Sequence, residues 1–162
     1  MRKFLIFLAT DHAGFELKEE IKRYLKKLKH EVEDQGAYSF DSNDDYVDFI
    51  AKAAKKVAQN QNSKGIIFGG SGQGEAIVAN KFKGIRAAVY YGNKPEIVKL
   101  FKTHNNANVL SIGARLTTKD NAKKAVKLWL GTDFNKEPKH FRRIKKIENL
   151  EKSIKDAPQW IQ

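Results

Sequence analysis

Residues 65–81, GIIFGGSGQGEAIVANK, pass from a short, nearly unbroken apolar run through a glycine-rich turn into a segment with helical spacing. An apolar run of this length, closed by glycines, reads as a strand covered on both faces. Glycines permit close backbone approach and unusual dihedrals, and the helix start beyond them offers unpaired N–H groups. The stretch therefore predicts a buried strand, a loop and a helix, the repeating unit of parallel α/β sheets.

The same unit recurs on both sides. Upstream, Phe4–Leu8 has the buried-strand pattern, and Leu17, Ile21, Tyr24, Leu25 and Leu28 recur at helical spacing in GFELKEEIKRYLKKLKH, residues 14–30. The basic run Lys26–His30 suits the C-terminal end of that helix. HEVEDQG (30–36) predicts a more exposed strand and SFDSNDD (39–45) a turn, while Tyr46, Phe49, Ile50, Ala53, Ala54 and Val57 mark a second helical face. Downstream, IRAAVYY (85–91) and NVLSIG (108–113) read as strands, and PEIVKLFKTH (95–104) and DNAKKAVKLWL (120–130) as helices. Ala125, Leu128 and Trp129 face inward on the last of these. Five strands alternating with helices predict a doubly wound parallel sheet within a single domain, residues 1–162.

Ligands in such sheets lie beyond the C-terminal ends of the strands, where the strand order reverses. DHAG (11–14), GGSGQGE (69–75) and the region flanked by HNNANV (104–109) and GAR (113–115) are accordingly expected to converge. Residues 138–155 form a separate helix with an apolar stripe of Phe141, Ile144, Ile147, Leu150 and Ile154 and a basic start. The stripe either packs on its own body or docks on a second subunit. Pro158 is expected to end this helix and leave Trp160 in a short tail.

Composition narrows the functional classes. At 41% hydrophobic residues the chain is not wholly disordered, and no run reaches the ~18 apolar residues of a membrane span. The opening MRKFLIFLATDHAG turns polar at Thr10, Asp11 and His12, so it reads as a first strand rather than a secretory signal. With no cysteine, disulfides, thiolate metal sites and thiol nucleophiles are excluded, in agreement with a cytoplasmic protein. The net charge is +12, and residues 121–162 supply half of it, with eleven Lys/Arg against five Asp/Glu. Such a surface draws small anions or nucleic acid, although no RNA-recognition or zinc-finger motif accompanies it.

Several side chains have chemistry open to two readings. Gly70, Gly72 and Gly74 surround Ser71 in a loop that lacks the Walker pattern and the dinucleotide fingerprint; it is either a tight turn or a cradle for a small anion or developing oxyanion. Glu75, at the helix start, either caps a backbone donor or acts as a base with a raised proton affinity. Ser71 is divided in the same way between the turn and a bond to substrate. Asp11 and His12 end the first strand, and His104 and Asn105 are expected beside them; Asp11 with His104 makes an acid/base pair that needs no cofactor. A zinc site would require a third convincing ligand, so no metal is expected. Arg115, Lys139 and Arg143 are either surface charges or phosphate ligands.

Taken together, DHAGFELK, the Asp45–Tyr46 pair, GGSGQGEAIVANKFKGIRA, HNNANVLSIGAR and the late basic segment resemble, in order and along nearly the whole chain, the ribose-5-phosphate isomerase B family and its sugar-phosphate isomerase relatives. The resemblance implies a Rossmann-like three-layer α/β/α fold with a five-stranded parallel sheet and an extra C-terminal helix. It also implies a homodimer, sometimes a tetramer, with active sites at the subunit boundary. The implied reaction is cofactor-independent interconversion of aldose and ketose phosphates, with D-ribose 5-phosphate as substrate. Asp11 and His12 match the family's site pair, Tyr46 its substrate pocket, His104 and Asn105 its ring-opening segment, and Arg115 a basic substrate contact. Lys139 and Arg143 match phosphate ligands supplied by the neighbouring subunit. Many members carry a cysteine base at the position assigned here to Gly70; this chain resembles instead the branch with Ser71 and a Glu75 base. Lys139 stands where familiar members have arginine, and Val47 where proline often follows the Asp–Tyr pair. A six-carbon aldose phosphate such as allose 6-phosphate or galactose 6-phosphate, a catalytically silent sugar-phosphate sensor, and a nucleic-acid binder are the alternatives.

Overall fold

Alternation of side chains along the central strands sorts the core into two halves. The computed structural model describes residues 2–154. Its strands are β1 (Leu5–Thr10), β2 (Glu31–Asp34), β3 (Lys64–Gly69), β4 (Ala87–Tyr90) and β5 (Val109–Gly113), all parallel, in the order β2-β1-β3-β5-β4. Helices α1 (Phe15–Lys27), α2 (Tyr46–Gln59), α3 (Gln73–Ala79), α4 (Val98–Thr103), α5 (Lys119–Leu130) and α6 (Pro138–Ile154) complete it. Ile6 and Leu8 of β1, Ile66 and Phe68 of β3 and Leu110 and Ile112 of β5 pack against Ile21 and Leu25 of α1 and Val126 and Trp129 of α5. Phe7, Ala9, Ile67 and Val109 point the other way, onto Ile50, Ala53 and Val57 of α2 and Ala79 of α3. Burying each large side chain contributes about 1.5–3 kcal/mol, which makes the three central strands the anchor of everything mounted on them.

The chain leaves β1 toward β2 on one side and returns to β3 on the other, so the strand order reverses between β1 and β3. A crevice is required there above the C-terminal strand ends. Thr10 closes β1 tightly against β3, its hydroxyl donating to the Phe68 carbonyl at 3.1 Å. Asp45 starts α2 by accepting from Val47 N at 3.1 Å, a bond that the proline expected at position 47 has no N–H to make.

Several boundaries differ from the sequence reading. β1 extends to Thr10 because its backbone N–H finds the Gly36 carbonyl at 2.8 Å. Residues 95–104 divide into a 3₁₀ turn, Pro95–Ile97, and the short α4. α1 stops at Lys27, and His30 is not a helix-end cation: it is buried, its Nδ1 accepts from Phe4 N at 3.2 Å, and burial holds its pKa below the ordinary histidine value. Along α6 the body covers only Ile144 of the predicted stripe, leaving Phe141, Ile147, Leu150 and Ile154 exposed. Pro158 and Trp160 lie outside the described residues. No helix among the described residues is long and apolar enough to cross a membrane.

Candidate active site

At the β1–β3 crossover the backbone brings polar groups together over an apolar base. Asp11 follows β1 directly, is buried, and accepts from Ala13 N at 2.9 Å, which begins the 3₁₀ turn His12–Gly14. The loop after β3 takes a left-handed residue at Gly72 (φ 77°), and the Gly72 carbonyl is held by the Ser111 hydroxyl at 2.5 Å. This fold-back presses the loop onto β5: a side chain at Gly113 would meet the Ser71 carbonyl at 2.6 Å. Ser71 Oγ accepts from Gln73 N at 3.3 Å and so helps to open α3.

Glu75 sits in the first turn of α3 at 5% exposure, its carboxylate turned back over the end of β3. Any side chain at Gly69 would collide with that carboxylate. Among the described residues Glu75 has no cationic partner. Burial pushes its pKa up from the ordinary glutamate value, and the neighbouring charge of Asp11 pushes the same way. The geometry also corrects one correspondence. A thiol reaching the space of the Glu75 carboxylate would project from position 69, whereas a side chain at Gly70 would approach Arg115 instead, 3.4 Å from its guanidinium.

The remaining walls follow from the same registers. Tyr46, the first residue of α2, lays its hydroxyl over Gly74, where a methyl group would come within 2.9 Å of the oxygen. Arg115 follows β5, bonds through its N–H to the Gly70 carbonyl at 3.1 Å, and extends its guanidinium over Gly70. Beside it a cleft of about 490 Å³ runs past His12, Phe40 and Arg115 to Lys119. His12 is held by Asp44, a residue the sequence reading passed over within a turn: Asp44 Oδ1 accepts from the His12 backbone N–H at 2.9 Å and from Nδ1 at 2.7 Å. That bond puts the proton on Nδ1 and leaves Nε2 for a ligand. Asp11, His12 and Asp44 bring potential metal-ligand atoms within 4.8 Å of one another, the third donor that spacing alone did not offer. In this arrangement Asp44 Oδ1 and Asp11 Oδ1 are engaged by N–H groups of the turn.

His104 and Asn105 are not neighbours of Asp11 in the same chain, contrary to expectation. They precede β5, which runs parallel to β3 with Val109 opposite Gly65, so they sit at the N-terminal edge of the sheet. The length of β5 separates that edge from the Glu75 end, roughly 13 Å at ~3.3 Å per residue. There the His104 ring stacks on His140 of α6 at 4.4 Å, and Arg86 Nε holds the Asn105 carbonyl at 3.1 Å. Lys139, paired with Glu137 at 3.2 Å, and Arg143 project from the first turns of the same α6. His140 is buried, and burial, followed by the charges of His104 and Lys139, lowers its pKa. Sequence reading did not single it out, because its role depends on a contact across 36 residues. One chain therefore carries two separate groups: Asp11, His12, Tyr46, Gly70–Glu75 and Arg115 at one end, and His104, Asn105, Lys139 and Arg143 at the other.

The model of the family described as Ribose/Galactose Isomerase matches residues 6–147. Ribose-5-phosphate isomerase B of Mycolicibacterium paratuberculosis is 39% identical over 153 residues, covering 94% of this chain and 95% of that protein. The Escherichia coli protein of the same name is 37% identical over 146 residues, covering 90% and 95%. Among solved structures, Mycoplasma genitalium ribose-5-phosphate isomerase B with bound ribulose-5-phosphate superposes with a TM-score of 0.88 at 39% identity, covering 94% of this chain and 99% of that one. The Thermotoga maritima enzyme gives 0.84 at 40% identity, covering 91% and 99%. The five-stranded parallel sheet, the strand-end pocket and these matches along nearly the whole length lead to one conclusion: the chain belongs to the ribose/galactose isomerase family, alongside the ribose-5-phosphate isomerases B.

Proposed function

We propose that the protein interconverts D-ribose 5-phosphate and D-ribulose 5-phosphate as a cofactor-independent isomerase with Glu75 as its base. The observation that carries this reading is a buried carboxylate without a cation, its pKa raised by burial, beside a second carboxylate in the strand-end crevice of a fold shared with a ribulose-5-phosphate-bound relative. Such a group holds a proton at working pH more readily than a solvated glutamate, as a base near an acidic carbon requires.

Catalysis begins on the cyclic aldose phosphate. His104 protonates the ring oxygen while Asp11 takes the anomeric hydroxyl proton, and the ring opens. Glu75 then removes the proton from C2, giving a cis-enediolate, and returns it to C1. The hydroxyl proton of O2 passes to O1, with Ser71 bonding to both oxygens. Backbone N–H groups of Gly70–Gly74 stabilise the charge that develops on oxygen, because oriented dipoles need no reorganisation. His12, Tyr46, Asn105 and Arg115 position the sugar. Lys139 and Arg143 hold the phosphate, and binding energy from that remote group orients the reacting carbons.

The two groups lie at opposite ends of one chain, so this scheme requires a homodimer in which His104, Asn105, Lys139 and Arg143 of one subunit complete the crevice of the other. The exposed stripe Phe141, Ile147, Leu150 and Ile154 on α6 supports such packing. The fold and the metabolic class of its relatives fit a cytoplasmic enzyme. Glu75→Gln, assayed for ribulose 5-phosphate formation, is expected to retain the fold and lose about 10²–10⁴-fold in turnover. Near-normal turnover in the folded variant would reject the glutamate base. Turnover of allose 6-phosphate or galactose 6-phosphate in preference to ribose 5-phosphate would reject the pentose assignment.

A further inference from the structure

The sheet end opposite Glu75 contains a second cavity, of about 450 Å³, between the starts of β1 and β3 and the ends of α4 and α5. Arg2, Lys64, Lys102 and Lys136 line it, with the rings of Phe4 and Trp129 among its apolar surfaces. None of the residues assigned to the isomerase site lines it. Among the described lining residues the one carboxylate, Asp133, is largely exposed and lies 3.6 Å from Arg2.

Lys102 is the unusual member. At 8% exposure its ammonium donates to Asn106 Oδ1 at 3.0 Å and to the Ala107 carbonyl at 3.4 Å, both neutral acceptors. No carboxylate among the described residues lies within ion-pair distance of it. The fully buried Lys18 provides the internal contrast, with Asp34 at 2.7 Å and Glu19 at 3.1 Å. A buried charge is ordinarily paired, and Lys102 is the buried lysine whose counter-charge is missing. Burial pushes its pKa down to about 8, and the charges of Lys64, Arg86 and Arg2 push the same way against Asp133 alone. Lys64 is held low too, by burial and then by Arg2 and Arg86. Trp129 forms part of the same wall, with its ring packed into the core. Four clustered cations against a single, largely exposed carboxylate among the described lining residues are the complement of a compact anion with several oxygens.

We propose that this cavity is a second ligand site for a small organic phosphate. Its phosphoryl oxygens accept from Lys102 and Lys64, and its body lies toward Phe4. Lysines serve phosphates as point charges, and the volume lies within the range of small-molecule sites. The rings of Phe4 and Phe134 line the cavity beside these cations, an apolar surface that an organic body covers and the free inorganic ion does not. The inference stands apart from the isomerase reading, because it uses none of that site's residues.

The chain has two tryptophans, so Trp160→Phe leaves Trp129 as the sole indole reporter. Titration of that full-length protein with AMP, ribose 5-phosphate and inorganic phosphate is expected to change Trp129 fluorescence saturably, with at least one organic phosphate binding more tightly than the inorganic ion. Lys102→Met is expected to weaken that binding about ten- to hundredfold, the loss of one charge-assisted bond. Glu75→Gln, at the other end of the sheet, is expected to leave it unaltered. With Lys102 in place, affinity for AMP or ribose 5-phosphate should fall as pH rises through about 8, as the ammonium loses its proton. That profile tests the proposal even if Lys102→Met fails to fold. No saturable response, equal affinity in folded Lys102→Met, a flat pH profile, or inorganic phosphate binding as tightly as both organic phosphates would each overturn it.

Discussion

Glu75 has its carboxylate buried at the end of β3, next to the charge of Asp11. Burial and Asp11 raise its pKa, so the acid limb of kcat/KM is expected above the ordinary carboxylate range. Activity falls as pH drops through that raised value, since the base must be deprotonated to accept the C2 proton. Stability has the opposite sign. The native state binds this proton more readily than the unfolded chain, so charging Glu75 destabilises the fold as pH rises between the two pKa values. A pH–rate profile with its acid limb at the pKa of free glutamate would contradict the assignment. The residue was readable in the sequence because the glycine loop and helix start lie next to it. Asp44, His140 and Lys102 were not, since each acquires its character from residues distant in the chain: the turn carboxylate from His12, the imidazole from His104, the ammonium from the cations around it.

Elements were legible where one face or both faces are apolar, and less so where tertiary contacts decide. The central strands announced themselves through Phe4–Leu8, GIIFGG and NVLSIG, since two-sided burial demands such runs. The edge strand β2 is short and half-exposed, pairs with β1 and sets only Val32 against the core, so polar side chains add to what holds it in place. Lys18 and Lys22 of α1 converge on Asp34 at its end, at 2.7 and 2.6 Å. Burial alone would raise the Asp34 pKa, but the bonds from Lys18 and Lys22 hold it below the usual value. Its contribution is therefore present above the unfolded carboxylate pKa and lost as pH falls through the folded one. Asp34→Ala is expected to cost about 3 kcal/mol in urea unfolding, because it strips the main partner from the buried Lys18. A loss below about 1 kcal/mol would reduce the cluster to an ordinary surface pair. The misplaced element was the approach to β5. Periodicity identified a helix before that strand, but only parallel register shows that whatever precedes a strand lies at the end opposite its active loop.

At the scale of the molecule, the proposed reaction draws on two polar groups at opposite ends of the sheet and so on two subunits. Neither group alone has both Glu75, the proposed base, and Lys139 and Arg143, the proposed phosphate ligands, and the apolar stripe of α6 lies beside the second group. Mixing folded Glu75→Gln with folded Arg143→Ala is therefore expected to restore activity. Random exchange should yield about one quarter of the wild-type sites, each mixed dimer carrying one site with both residues intact. No recovery after demonstrated subunit exchange would contradict sharing. The charge of +12 and the basic start of α6 were visible in the sequence, but the second gathering of cations, around the Lys102 cavity, was not. The most direct test of the central claim is NMR of the purified protein with D-ribose 5-phosphate in D₂O. Ribulose 5-phosphate should appear together with deuterium exchange at C2, and Glu75→Gln should suppress both. Absence of both signals with the wild-type protein, or undiminished exchange in folded Glu75→Gln, would contradict the account.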